Sequence, residues 1–150
     1  MLWKIIAGTF LTISLSGCFN QSQEPRQSSL FDFSEKEFDF GLVKQSGGII
    51  SHDFVLTYQG DEELKIVGVP TSCACTTAKA DKEILKKGES AVIAVSFDPN
   101  LHEEPHGRFF KTISILTEPA LTEQPELKIW AAVDLDLGPE YYKLKENHIN

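Results

Sequence analysis

The sequence predicts an all-β protein, an immunoglobulin-like Greek-key sandwich of about seven strands. Three observations lead there. Apolar and polar residues alternate at a period of two in several separate runs. Gly, Pro, Asn and Asp clusters punctuate those runs at short intervals. No segment sustains a 3.6-residue period, and the best helical stretch is a single turn at Lys82–Leu85.

The elements follow in chain order. A short strand is expected near Phe38–Leu42. From Ile50 to Tyr58, the residues Ile50, His52, Phe54, Leu56 and Tyr58 form one face, opposite Ser51, Asp53 and Thr57. Gln59-Gly60-Asp61 turns the chain into Leu64–Val69, which Pro70 stops because proline cannot donate to a ladder. A short strand is expected at Thr76–Ala80. Ala91, Ile93, Val95 and Phe97 form the next face, closed by Asp98-Pro99-Asn100, where proline presets the corner. Phe109, Lys111, Ile113 and Ile115 alternate with Phe110, Thr112, Ser114 and Leu116, and Leu127 to Leu135 supplies the last face. Phe54, Ile66, Ile93, Val95, Ile113 and Ile129 are the expected core. A sandwich stapled by a disulfide between sheets is excluded, since no cysteine pair is separated widely enough.

Composition excludes several classes. The 150 residues are 41% hydrophobic and 24% charged, enough apolar material to offset ordering entropy in one domain. With 14 Lys+Arg against 22 Asp+Glu, the net charge of −8 argues against a nucleic-acid partner.

The N-terminus reads as an export signal. Lys4 precedes an uncharged apolar run, Ile5–Leu15, too short for the roughly 20 residues that a membrane span requires. Its length fits the apolar region of a secretory signal peptide. The run ends in Leu15-Ser16-Gly17-Cys18, which resembles the bacterial lipobox. That resemblance implies cleavage before Cys18, acylation of Cys18, and anchoring of the protein to a membrane through its N-terminal lipid. The implied organisation is a signal peptide over 1–17, a flexible tether over 18–34, a domain over 35–137 and a loose polar tail over 138–150. Phe19, where an Asp would suggest inner-membrane retention, favours the outer membrane. Phe31 and Phe33 stand out within the polar tether and are suited to an extra edge strand.

Across Phe38 to Val133 the motifs resemble bacterial domain-of-unknown-function family 1573, an Ig-like module akin to the ASPM/SPD/Hydin domains. They are Phe38-Asp39-Phe40-Gly41-Leu42-Val43, His52-Asp53-Phe54, Gly60-Asp61, Leu64-Lys65-Ile66, Ser72-Cys73-Ala74-Cys75-Thr76, Gly88-Glu89-Ser90, Phe97-Asp98-Pro99 and Gly107–Ile113. Ala74, Tyr58 and Lys87 depart from the Gly, Asn and Pro that the family usually shows. Ala74 in particular disfavours the tightest backbone bends at the cysteine pair. The resemblance implies a fold and no established activity.

Any chemistry lies in Cys73-Ala74-Cys75. In an extended segment two residues advance about 6.6 Å, at the upper edge of disulfide geometry. Three readings stand side by side: two small buried hydrophobes, a bridge that needs a bend, or two thiolates on Cu(I) or Zn(II). His52 would be a third ligand if its strand neighboured the cysteine strand. His102, Glu103, Glu104 and His106 sit between Asp98-Pro99 and Gly107, where a solvated hairpin connection is expected. No phosphate-binding Gly-rich loop, nucleophile elbow or other catalytic constellation is present, and no organic cofactor is implied. The expected function is a non-catalytic binding or assembly module in the cell envelope, meeting an envelope protein partner. A thiol-redox or metal-handling role for Cys73 and Cys75 is the alternative.

Overall fold

The computed structural model of the chain describes residues 30–142. The expected signal peptide, Cys18, Phe19 and residues 143–150 lie outside the described residues.

Ten strands form. They are β1 (Phe31–Phe33), β2 (Glu37–Lys44), β3 (Ile50–Tyr58), β4 (Leu64–Gly68), β5 (Thr76–Ala80), β6 (Ile84–Leu85), β7 (Ser90–Phe97), β8 (Phe109–Ser114), β9 (Leu116–Glu118) and β10 (Glu126–Asp134). A four-stranded sheet has the order β1-β3-β7-β5, and two three-stranded sheets have the orders β2-β10-β8 and β6-β4-β9. All pairings are antiparallel except β2 with β10. The period-two faces do what alternation requires: one side of each strand meets the other sheets, the other meets water. Side chains from all three sheets join one core cluster. Phe54, Ile93, Val95 and Ile113 are fully buried, and Ile129 and Ile66 nearly so, as the alternation predicts. Each such side chain contributes up to about 1.5–3 kcal/mol through removal from water. The chain is thus the expected Ig-like sandwich.

Four details differ from the sequence reading or sharpen it. Lys82–Leu85 is not a helical turn. Ile84 and Leu85 pair with Lys65 and Leu64 as β6, because that pairing buries Leu85 completely. The run through Phe109–Leu116 breaks at Ile115, whose N–H donates to the Pro125 carbonyl at 2.9 Å. On one side of that break β8 pairs with β10; on the other β9 pairs with β4. Phe31 and Phe33 do build an edge strand, β1, and the Phe31 ring packs 5.6 Å from Tyr58. The start of the expected loose tail is docked: Tyr142 is buried, and its hydroxyl donates to the Pro99 carbonyl at 2.8 Å. Tyrosine brings apolar area and a hydroxyl that here finds an acceptor, which holds Tyr142 on the sandwich.

Candidate functional site

The cysteine pair lies where the chain changes sheets. Pro70 ends β4, and its carbonyl accepts the Ser114 N–H at 3.0 Å. Thr71 bridges to Ile113, and Ser72 exchanges two bonds with Thr112: N–H to carbonyl at 2.9 Å, and N–H to Ser72 Oγ at 3.0 Å. The segment therefore runs along the outer edge of β8 before it turns into β5. The Thr71 hydroxyl lies 3.0 Å from the Cys73 carbonyl and 2.8 Å from the Thr76 carbonyl. The Thr76 N–H closes the turn on the Cys73 carbonyl at 3.0 Å, and the Asp98 N–H donates to the Cys75 carbonyl at 2.8 Å.

This turn corrects the extended geometry expected for the pair. The two Cα atoms are 5.2 Å apart and the sulfurs form a disulfide. Ala74 does not obstruct the bend, since no non-glycine residue among those described has a positive φ. The bend therefore stays within the conformations open to any L-residue. Cys73 is part-exposed, whereas Cys75 is 2% exposed. Cys73 Sγ accepts the Cys75 N–H at 3.2 Å, and Cys75 Sγ is 3.7 Å from the Thr76 hydroxyl.

His52 is not part of this cluster. Strand β7 separates β3 from β5, so the condition for a third ligand there is unmet. His52 stacks on Phe38 instead, and its Nε2 lies 2.9 Å from Glu35 Oε1.

The third and fourth groups come from the β7–β8 connection, which sequence reasoning assigned to solvent. His102 Nε2 lies 3.1 Å from Cys73 Sγ, and its Nδ1 lies 3.1 Å from the Glu103 carbonyl oxygen. The Glu104 side chain is 1% exposed, with Oε2 bonded to Lys111 Nζ at 2.6 Å. A buried carboxylate requires such a cation, because leaving it unpaired costs several kcal/mol. Glu104 Oε1 makes no hydrogen bond and lies 3.6 Å from His102 Nδ1. Burial, and next the negative charges of Glu104 and Glu103, push the Tyr142 phenol above its ordinary pKa. Cys73, Cys75, His102 and Glu104 place their donor atoms within 4.8 Å of one another.

The signal for this cluster lies in strand register. Strand β7 runs antiparallel to β5 with Phe97 opposite Thr76. Residues just after Phe97 must then lie beside those just before Thr76, which are the cysteines.

A sequence model described as a protein of unknown function, DUF1573, matches residues 31–133. The chain belongs to that family. The match extends the resemblance read from Phe38 onwards back to β1. No curated protein matches the chain. Among solved structures, a protein of unknown function from Porphyromonas gingivalis is similar at 20% identity and TM-score 0.58, over 69% of this chain and 46% of that one. The ASH/PapD-like domain of human CEP192 is similar at 12% identity and TM-score 0.55, over 83% of this chain and 99% of that domain. The YadV chaperone is similar at 12% identity and TM-score 0.51, over 70% of this chain and 52% of the chaperone. The chain thus spans less than half of the Porphyromonas protein. At these identities the likeness establishes a fold: this DUF1573 domain is an Ig-like sandwich of the PapD type.

Proposed function

We propose that this DUF1573 protein is a lipid-anchored component of the cell envelope whose sandwich is a non-catalytic binding or assembly module for an envelope protein. The observation that carries the reading is strand β5. It bonds to β7 on one side and has no strand on the other among the described residues. Its register with β7 is regular over five pairs, and its Thr77 and Lys79 side chains are exposed. The edge of β8 is partly covered by Thr71 and Ser72, and β2 is interrupted by a register shift against β10. An extended peptide adds most readily to a regular, open edge. Two PapD-type neighbours, YadV and the periplasmic chaperone SfaE, are named as chaperones, which supports a protein-binding role. Fold alone does not assign function, so the edge strand is what makes the reading testable.

Export rests on the short apolar run and the Leu15-Ser16-Gly17-Cys18 string. The Cys73–Cys75 disulfide supports it, because disulfides persist in oxidising compartments. Phe19 favours the outer membrane in a diderm envelope. Detergent phase partitioning tests the anchor: the parent should enter the detergent phase, and Cys18→Ala should not. A photo-crosslinking residue at position 77 tests the edge, with position 53 on central strand β3 as the control. Adducts confined to position 77 are expected; equal labelling at both positions sinks the edge reading.

A further inference from the structure

We propose that the reduced form of this domain holds one Zn(II) ion between Cys73, Cys75, His102 and Glu104. Two thiolates, one imidazole and one carboxylate make a mixed sulfur, nitrogen and oxygen set of four, which suits tetrahedral zinc. A Cu(I) ion, which favours soft donors, would leave the carboxylate without a role.

The surroundings of each donor point the same way. A zinc-bound imidazole generally donates its second N–H to a carbonyl or carboxylate, which orients the ring. His102 is arranged in that manner, with Nε2 facing the Cys73 sulfur and Nδ1 facing the Glu103 carbonyl. Metal-bound thiolates carry charge that N–H and O–H donors stabilise. Cys73 Sγ already accepts the Cys75 N–H, and the Thr76 hydroxyl sits beside Cys75 Sγ. Ligating carboxylates are themselves held by outer partners, and Lys111 holds Glu104 by Oε2. That leaves Oε1 buried and without a hydrogen bond, 3.6 Å from the His102 ring nitrogen Nδ1, as the free oxygen of the carboxylate. Buried acceptors of this kind are rare in folded proteins, and an absent ion is one physical reason for them. The four ligands also tie the segment that changes sheets to the β7–β8 connection.

In the structure the two sulfurs are bonded to each other, so the site requires reduction first. A dithiol supplies two electrons and two protons: the S–S bond breaks, two thiols form, and the dithiol becomes its own disulfide. Zinc binding then displaces the two thiol protons to solvent and forms two Zn–S bonds. Oxidised protein has no thiolate to offer. The site is therefore a zinc site conditional on the redox state of the pair, and it is independent of whether β5 binds a partner.

The test uses the full chain in detergent, reduced with a dithiol that is removed anaerobically before metal is added. Zinc is titrated against a chromophoric chelator, and Co(II) is substituted to read sulfur ligation and tetrahedral geometry from its absorption. One zinc per chain is expected after reduction and none before it. Cys73→Ser with Cys75→Ser should abolish binding. His102→Ala and Glu104→Gln should each weaken it at least about tenfold. His52→Ala should leave it unchanged. Circular dichroism checks that each variant is folded. If Glu104→Gln unfolds because Lys111 loses its partner, His102→Ala decides, since that side chain is half exposed. The proposal fails if reduced parent binds no more zinc than the double Ser variant. It also fails if folded His102→Ala and folded Glu104→Gln both bind as tightly as the parent.

Discussion

The imidazole of His52 lies flat on the ring of Phe38, with centroids 3.5 Å apart and planes 6° apart. His52 belongs to β3 and Phe38 to β2, so the stack joins two different sheets. The same imidazole meets the Phe54 ring edge-on at 4.8 Å, and Glu35 holds its Nε2. Replacing His52 by Ala should cost about 1–2 kcal/mol, from a lost aromatic contact and lost packing. His52→Phe keeps a ring on Phe38 and should cost less. Urea denaturation of the two variants checks the order; equal losses would mean that the Glu35 bond, not the stack, carries the effect.

Phe54 is fully buried, while its neighbour Val55 is 37% exposed. Phe54→Ala should therefore destabilise the domain by about 3–5 kcal/mol through a cavity, against less than about 1 kcal/mol for Val55→Ala. Thermal or chemical melts measure both. A Phe54→Ala loss below about 1 kcal/mol would displace the register of β3 by one residue.

Gly60 is buried under the side chain of Tyr58, and a Cβ there would overlap the phenol ring and its hydroxyl. Tyr58 is itself buried and touches Phe31, so its ring has little room to yield. Gly60→Ala should cost about 1–3 kcal/mol by overpacking. In a Tyr58→Leu background the same change should cost measurably less, which a double-mutant cycle reads as coupling. Additive losses would show that the clash is relieved elsewhere.

Acid should weaken the fold through exposed carboxylates that gain donors on folding. The Ser46 hydroxyl and Ser46 N–H hold Asp136 below its ordinary pKa, the Gly41 N–H and then Arg108 do so for Asp39, and Lys87 does so for Asp61. Folded values below the unfolded value of about 3.9 give stability that is present above that pH. It is lost as pH falls through the folded values. The urea midpoint should thus fall as pH drops below about 4, and less steeply in Asp136→Asn. An unchanged slope in that variant would remove Asp136 from the account.

The long strands were legible because each buries one face, and burial writes a period of two into β3, β7 and β10. Pro70 and Asp98-Pro99-Asn100 marked real ends for a local reason, since proline constrains its own φ and lacks an N–H. Strands β6 and β9 were not legible. Two or three residues carry no period, and their pairing with β4 is a tertiary fact. At the site, Cys73 and Cys75 could be read as a pair, but their bend could not. His102 and Glu104 sit among Pro, Gly and charged residues, where solvent is the sound expectation. Only the β5–β7 register brings them to the cysteines. His52, read as a conditional ligand, stacks on Phe38 instead, because β7 stands between its strand and β5.

The unequal burial of the two cysteines sets an order of bond breaking. A thiolate arriving from solvent meets Cys73, since Cys75 is enclosed by the turn and the core. Attack in line with the S–S bond then makes Cys73 the partner in the mixed disulfide and Cys75 the leaving group. The departing sulfur is released as a thiolate beside the Thr76 hydroxyl, still inside the fold, where it is sheltered from external disulfides. Opening of this bond therefore has a built-in direction, with one sulfur serving as the handle and the other kept in reserve.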